Sequence, residues 1–157
     1  MDPISIATTA AGVVGVCGKV LEYVYMYAKS CQDVDHNVEV LAIEVEQLKG
    51  VLSSLATSFD PSLALESQTG YEGEHWRNVR RSMEDCNATL RHLEGVLEHI
   101  NKEEHRKLIP RRSMKKYKLD MSQGEIDSTR RQIAAYRQTL QLSLQLITVY
   151  ILPVASG

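Results

Sequence analysis

The sequence predicts an all-α fold, an antiparallel bundle of four main long helices with a basic, proline-broken connection before the last helix. Two long segments repeat apolar residues at alternating steps of three and four, the spacing of one buried helix face. No segment shows a convincing strand pattern, and only four prolines and nine glycines interrupt the 157 residues. We therefore expect a single domain over residues 1–157, and expect it to be one module of a longer protein.

The first helix is expected from about Pro3 to about Lys29, because proline suits a first helical turn and Asp2 can cap it. Residues 4–18 carry no charge, and small residues recur there at steps of four: Ala7, Ala11 and Gly15 in one row, Thr8 and Gly12 in another. A glycine inside a helix costs up to about 1 kcal/mol relative to alanine. Either these residues allow tight packing inside a soluble bundle, or the helix can leave the bundle and enter a bilayer, where small residues let helices approach closely.

The segment from Ile4 to Ala28 is long enough to span the hydrocarbon core of a bilayer, which is about 30 Å thick. Lys19 and Glu22 are three residues apart and can pair, but they still make stable insertion expensive. A conditional insertion assisted by oligomerisation therefore fits the sequence better than a permanent membrane span.

The second helix is expected from about Asp35 to Ser58 and the third from about Glu74 to about Lys102. The buried stripe of the second helix comprises Val38, Leu41, Val45, Leu48, Leu52 and Leu55. The third helix continues the same spacing over more than three heptads, through Trp76, Val79, Met83, Cys86, Leu90, Leu93, Leu97 and Ile100. Each helix therefore needs one partner surface, and a bundle is the economical way to provide it.

Residues 102–118 carry eight basic and two acidic side chains, a local net charge of +6 in a chain of net charge −2. Pro110 interrupts this stretch, so one interpretation is a solvated connection. The other is contact with anionic lipid head groups, at about 1 kcal/mol per cation. The cations proposed for that contact are Lys107, Arg111, Arg112, Lys115, Lys116 and Lys118. Nucleic acid is not expected, because Tyr117 alone supplies aromatic interleaving.

The fourth helix is expected to begin at Ser122, which forms a capping box with Glu125, and to end at Pro153. Its main apolar stripe comprises Ile126, Ile133, Tyr136, Leu140, Leu144 and Ile147. Three further residues are expected to widen that stripe: Leu142, Leu146 and Ile151.

No motif indicates catalysis: the sequence lacks a phosphate-binding loop, a nucleophile elbow and a metalloprotease signature. Cys17, Cys31 and Cys86 show no metal-type spacing, and we expect them to pack as small hydrophobes in a reducing compartment. His92 and His99 lie near Cys86 along one helix, but packing or solvated histidines are the favoured interpretation over a zinc site. We expect no enzyme activity, no cofactor and no metal.

The opening of the chain is similar to that of a known family. Met-Asp-Pro-Ile-Ser-Ile-Ala, followed by Ala11-Gly12-Val13-Val14 and Gly18-Lys19-Val20, resembles the start of the HeLo-like (HELL) domains. These domains occur at the N-termini of fungal NLR-type STAND receptors and of related ankyrin-repeat or amyloid-motif proteins. The late segment from Glu125 through Leu144 resembles the closing helix of that family. The resemblance covers nearly the whole chain, with a fairly specific opening and generic middle helices.

This resemblance implies a cell-death-inducing helical bundle, related to the HeLo domain and to the bundle of the necroptosis executioner pseudokinase. An NTPase or amyloid signal oligomerises such domains, and the N-terminal helix then inserts into the plasma membrane. The helix implied here comprises Ile4, Ile6, Ala7, Ala11, Gly12, Val13, Val14, Gly15, Val16 and Gly18.

The implied partners are anionic membrane lipids, further copies of the chain, and an upstream signalling protein or an attached NTPase, repeat or amyloid-motif region. The implied location is the cytoplasm at rest and the plasma membrane after activation. The alternative interpretation is a soluble oligomerisation or adaptor module that binds protein partners, with the first helix as permanent core.

Overall fold

Four long helices make up the part of the chain that the structure, a computed structural model, describes. They are α1 (Pro3–Ser30), α2 (His36–Thr57), α3 (Tyr71–Glu103) and α4 (Gln123–Tyr150). The described residues are 3–30, 36–57, 71–103 and 123–150, with side chains described for 6–29, 36–57, 76–101 and 124–146. No strand occurs within these ranges, and the predicted all-α bundle of four long helices is confirmed.

The apolar stripes of α2 and α3 both face the core of the bundle. All six stripe residues predicted for α2 are buried, and so are all eight predicted for α3. Their polar neighbours Glu39, Glu46 and Gln47 on α2 are exposed. Because each apolar stripe is narrow, each helix can shield its large side chains from water in only one rotation about its axis. The structure shows both helices in that rotation.

The helices alternate in direction along the chain. The Tyr25 hydroxyl in the second half of α1 donates a hydrogen bond to the Glu46 carboxylate in the first half of α2. Asn101 Nδ2, near the end of α3, donates to the carbonyl oxygen of Tyr23, 3.3 Å away in the second half of α1. α1 and α2 are therefore antiparallel, whereas α1 and α3 run in the same direction.

α4 completes the bundle on the side opposite α1. His92 Nε2 in α3 lies 2.6 Å from Glu125 Oε1 near the start of α4, so these two helices are antiparallel. α1 packs against α2 and α3, and α4 also packs against α2 and α3. Within the described ranges α1 and α4 are not neighbours, and neither are α2 and α3, so each of these pairs occupies one diagonal of the bundle.

The four helices share the core unequally. α1 contributes nine buried apolar side chains, whereas Ile126, Ile133 and Leu140 are the buried apolar residues of the described part of α4. Leu142 is 59% exposed and Leu146 39% exposed, so the prediction that they widen the buried stripe of α4 is wrong. Ser143 is buried in their place because it lies three residues beyond Leu140, on the same side of the helix. Ile151 lies outside the described residues.

Candidate functional site

The N-terminal helix is the candidate functional element. A segment of 24 residues in α1, Ile6–Lys29, is long and apolar enough to cross a membrane by length and composition, and nine of its residues are buried in the bundle. At 1.5 Å per residue it extends about 36 Å, against about 30 Å of hydrocarbon. The core helix of a soluble protein passes the same test, so the geometry of the two faces of α1 decides how to interpret it.

The inner face of α1 is buried against α2 and α3. It comprises Ile6, Ala10, Val13, Val16, Cys17, Val20, Leu21, Val24 and Tyr27. Of the residues that the resemblance assigns to a membrane-active helix, Ile6, Val13 and Val16 belong to this inner face. These bulky side chains are hidden in the folded bundle, so they can reach lipid only when α1 separates from α2 and α3.

The outer face of α1 is exposed. It comprises Thr8, Ala11, Gly12, Gly15, Lys19, Glu22, Tyr25, Met26 and Lys29. Three predicted membrane-active residues, Ala11, Gly12 and Gly15, belong to it. Three more lie at intermediate depth between the faces: Ala7, Val14 and Gly18. Ile4 is part of α1, but its side chain lies outside those described.

The glycines of α1 do not serve packing within the bundle. A Cβ atom built on Gly12, Gly15 or Gly18 meets nothing within 4 Å. The expectation that small residues permit tight packing inside the soluble bundle is therefore wrong for these three positions. Each glycine costs up to about 1 kcal/mol of helix stability relative to alanine, with no steric reason in this fold.

A shallow groove runs between the outer face of α1 and the neighbouring helix α2. Its volume is about 450 Å³, and it is lined by Gly18, Leu21, Glu22, Tyr25, Met26, Lys29, Glu46 and Lys49. The hydrogen bond to Glu46 raises the pKa of Tyr25, because it stabilises the protonated phenol. Sequence reasoning treated Lys19 and Glu22 as obstacles to insertion and missed their place on one exposed surface with Met26. The missed signal is a second series of alternating three- and four-residue steps, displaced by two positions from the inner face.

Two buried thiols lie at the contact between α1 and α3. Cys17 and Cys86 are both free and buried, as predicted for packing residues, whereas Cys31 lies outside the described residues. Burial raises the pKa of the Cys17 thiol to about 12, and the positive charge of Lys49 only partly opposes this. Burial also raises the pKa of Cys86 to about 12, with a further contribution from Cys17. Such thiols are inert while the helices stay together.

The remaining predicted site residues form no assembled centre in the described ranges. His92 is exposed and paired with Glu125, and no group of three His, Cys, Asp or Glu that could hold a metal occurs among the described residues. The six cations assigned to anionic lipid lie outside the described residues: Lys107, Arg111, Arg112, Lys115, Lys116 and Lys118. The site that the structure does assemble is α1, with one face in the core and one in solvent.

Comparison with known proteins gives one family. A family described as "Pigment biosynthesis cluster protein PigL N-terminal" matches residues 1–155, which is nearly the whole chain. No curated protein and no solved structure matches the chain.

Proposed function

The chain belongs to the PigL N-terminal family, a fungal domain family, and we propose that it is a membrane-permeabilising execution domain of fungal programmed cell death. In this proposal α1 leaves the bundle, inserts into the plasma membrane and breaches it together with the α1 helices of other copies. The resemblance of the opening residues to HeLo-like domains supports this assignment. Membrane insertion of this kind is a physical process and requires neither a cofactor nor a catalytic residue.

The observation that carries the proposal is the open space around the α1 glycines. Gly12, Gly15 and Gly18 weaken the helix, yet a Cβ at any of them meets nothing within 4 Å in the bundle. A second state in which α1 is closely approached by another helix gives these residues a use. Thr8 and Gly12 lie four residues apart, as do Ala11 and Gly15, and small residues at that spacing provide such contacts between helices in lipid, where packing drives association.

The hydrophobic free energy of the inner face supports movement of α1 from the bundle into lipid, but not into water. Each buried Val, Ile or Leu of the inner face contributes about 1.5–3 kcal/mol by leaving water. Release of α1 into water therefore forfeits much of the stability of the domain. Release into hydrocarbon forfeits little of this contribution, because those side chains again avoid water. The opposing cost comes from Lys19 and Glu22, and a charge near the bilayer centre costs about 2.5–3.5 kcal/mol on insertion scales.

The trigger and the destination complete the proposal. The upstream signal comes from a signalling protein or an attached NTPase, repeat or amyloid-motif region, which gathers several copies. Residues 102–118, with a local net charge of +6, draw the gathered copies to anionic lipids. The domain is cytoplasmic at rest and reaches the plasma membrane after this activation.

The test uses dye-loaded anionic vesicles and the pair of variants Gly15→Lys and Gly95→Lys. Both glycines are exposed, a Cβ at either meets nothing within 4 Å, and both variants gain the same charge. Gly15 is near the middle of the 24-residue apolar segment, whereas Gly95 is on α3. Gly15→Lys raises the insertion cost by about 2.5–3.5 kcal/mol, so we expect it to reduce dye release about a hundredfold, while Gly95→Lys releases dye like the wild type.

A second candidate function is a soluble oligomerisation or adaptor module that binds protein partners. It is favoured by the nine buried apolar residues of α1, the largest such set among the described parts of the four helices. Under this function α1 stays in the core, and the vesicles either do not leak or leak equally with both variants. Equal leakage from Gly15→Lys and Gly95→Lys therefore rejects membrane insertion of α1.

A further inference from the structure

The outer face of α1 carries a regular series of exposed residues with the spacing of a helix–helix contact. The series runs through Thr8, Gly12, Gly15, Lys19, Glu22, Met26 and Lys29. Its steps alternate between four and three residues, as in the seam of a two-helix coiled coil. The inner face packs on α2 and α3, whereas this second series is exposed to solvent.

The charges of this series select one orientation for a second copy of α1. In an antiparallel pair related by a two-fold axis between positions 20 and 21, Lys19 lies opposite Glu22 of the second copy. The same symmetry places Glu22 opposite Lys19 of the second copy, so the dimer contains two such ion pairs. In a parallel pair each residue faces its own equivalent, and like charges oppose each other at both positions.

The side-chain sizes agree with the same register. Met26, which is 45% exposed, lies opposite Gly15 of the second copy, and Lys29 lies opposite Gly12. A large side chain thus meets a gap at both ends of the overlap of residues 12–29, about 27 Å of helix, and the two ion pairs lie at its centre. Charge and shape therefore favour one self-complementary arrangement.

We propose that the outer face of α1 is the contact surface for a second copy of this chain, forming an antiparallel two-fold dimer of folded bundles. The dimer is a state of the protein in solution, and it does not depend on membrane insertion. It leaves the inner face in the core of each copy. It also accounts for Gly12 and Gly15, because a helix backbone can approach closely only where side chains are small.

The first test is sedimentation equilibrium of the full chain without lipid, over a wide range of concentration. Lys19→Glu and Glu22→Lys each place like charges opposite one another at both symmetric contacts, so we expect each to weaken dimerisation at least about tenfold. The double variant Lys19→Glu/Glu22→Lys restores opposite charges and should recover the wild-type dissociation constant within about threefold. A wild-type chain that sediments as a monomer throughout overturns the proposal, as does a double variant that does not recover.

The second test fills the gap opposite Met26. Gly15→Leu should abolish the dimer, whereas the matched control Gly95→Leu on α3 should leave it unchanged. A Cβ at either glycine meets nothing within 4 Å in the fold, and circular dichroism with urea titration verifies that both variants fold. Dimerisation of Gly15→Leu at wild-type strength, or equal loss in both variants, overturns the assignment of this surface. Vesicle leakage is not part of this readout, so the dimer and the membrane function fail separately.

Discussion

The two buried thiols predict how α1 behaves on a membrane. Cys17 belongs to the inner face of α1, and Cys86 lies close to it on α3. If α1 moves from the bundle into lipid, Cys17 moves from one apolar environment to another and remains protected. Cys86 loses its neighbour and becomes accessible to water. We therefore expect anionic vesicles to expose Cys86 to alkylation while Cys17 stays unreactive.

The size of the effect follows from the raised pKa values. Burial raises the pKa of Cys86 from 9.0 to about 12, so at about pH 8 its reactive thiolate falls from about one molecule in ten to about one in ten thousand. Release of α1 returns the pKa toward its ordinary value. The rate of alkylation at Cys86 should therefore rise by up to about a thousandfold when α1 leaves, before the gain in steric access is counted.

The assay is alkylation with iodoacetamide followed by peptide mass spectrometry, which distinguishes Cys17 and Cys86 from Cys31. Unfolding in urea provides the reference in which both thiols react. Reaction of both thiols on vesicles would indicate unfolding at the membrane surface, and protection of both on leaking vesicles would indicate that α1 remains in the bundle. Either result refutes the reasoning. Gly15→Lys should keep Cys86 protected on vesicles, and Gly95→Lys should not.

Three further predictions concern the folded domain itself. Gly15→Ala should raise the free energy of unfolding by up to about 1 kcal/mol in a urea titration, because a Cβ there meets nothing within 4 Å; destabilisation would contradict the open outer face. Arg137 Nε donates a hydrogen bond to Glu44 Oε2 at 3.1 Å, and the two side chains are only 21% and 17% exposed. Glu44→Leu alone should therefore lower the free energy of unfolding by about 1–2 kcal/mol, and adding Arg137→Leu should recover part of that loss. The hydrogen bond from Arg130 lowers the pKa of Asp127, so this carboxylate stabilises the fold above its ordinary pKa and the contribution disappears as the pH falls through the lowered value. Urea titrations at several acidic pH values should show a steeper loss for the wild type than for Asp127→Asn.

The sequence was sufficient to predict the helices and the buried faces of α2 and α3. Their stripes alternate in steps of three and four between polar flanks, so only one face of each helix can be buried. The second half of α4 differs, because Leu140, Leu142, Leu144 and Leu146 follow at steps of two. That spacing places the leucines on two opposite sides of a helix, and contacts with α2 and α3 decide which side is buried. The diagonal placement of α1 and α4 could not be predicted, because four similar stripes are compatible with more than one order around the bundle.

The candidate site was only partly predictable for a related reason. Residues 4–18 are apolar or small on every side, so hydropathy does not indicate which face of α1 is buried. Side-chain size does indicate the buried face, because the bulky Ile6, Val13 and Val20 are buried, while the small Ala11, Gly12 and Gly15 are exposed. Sequence reasoning used the small residues as evidence of close packing without asking which neighbour they would pack against. Within the described chain no such neighbour exists at the three α1 glycines.

The two faces of α1 place opposite demands on its surroundings, and a single partner cannot meet both. The inner face needs an environment without water, which either α2 and α3 or the acyl chains of a lipid can supply. The outer face has gaps that a closely approaching helix fills, and charges that a second copy of the same helix neutralises. Copies that insert from one side of a bilayer cross it in the same direction, so their helices place Lys19 beside Lys19 and Glu22 beside Glu22 rather than in the antiparallel ion pairs. The antiparallel dimer therefore belongs to the folded state, and its two ion pairs must separate before α1 spans the lipid.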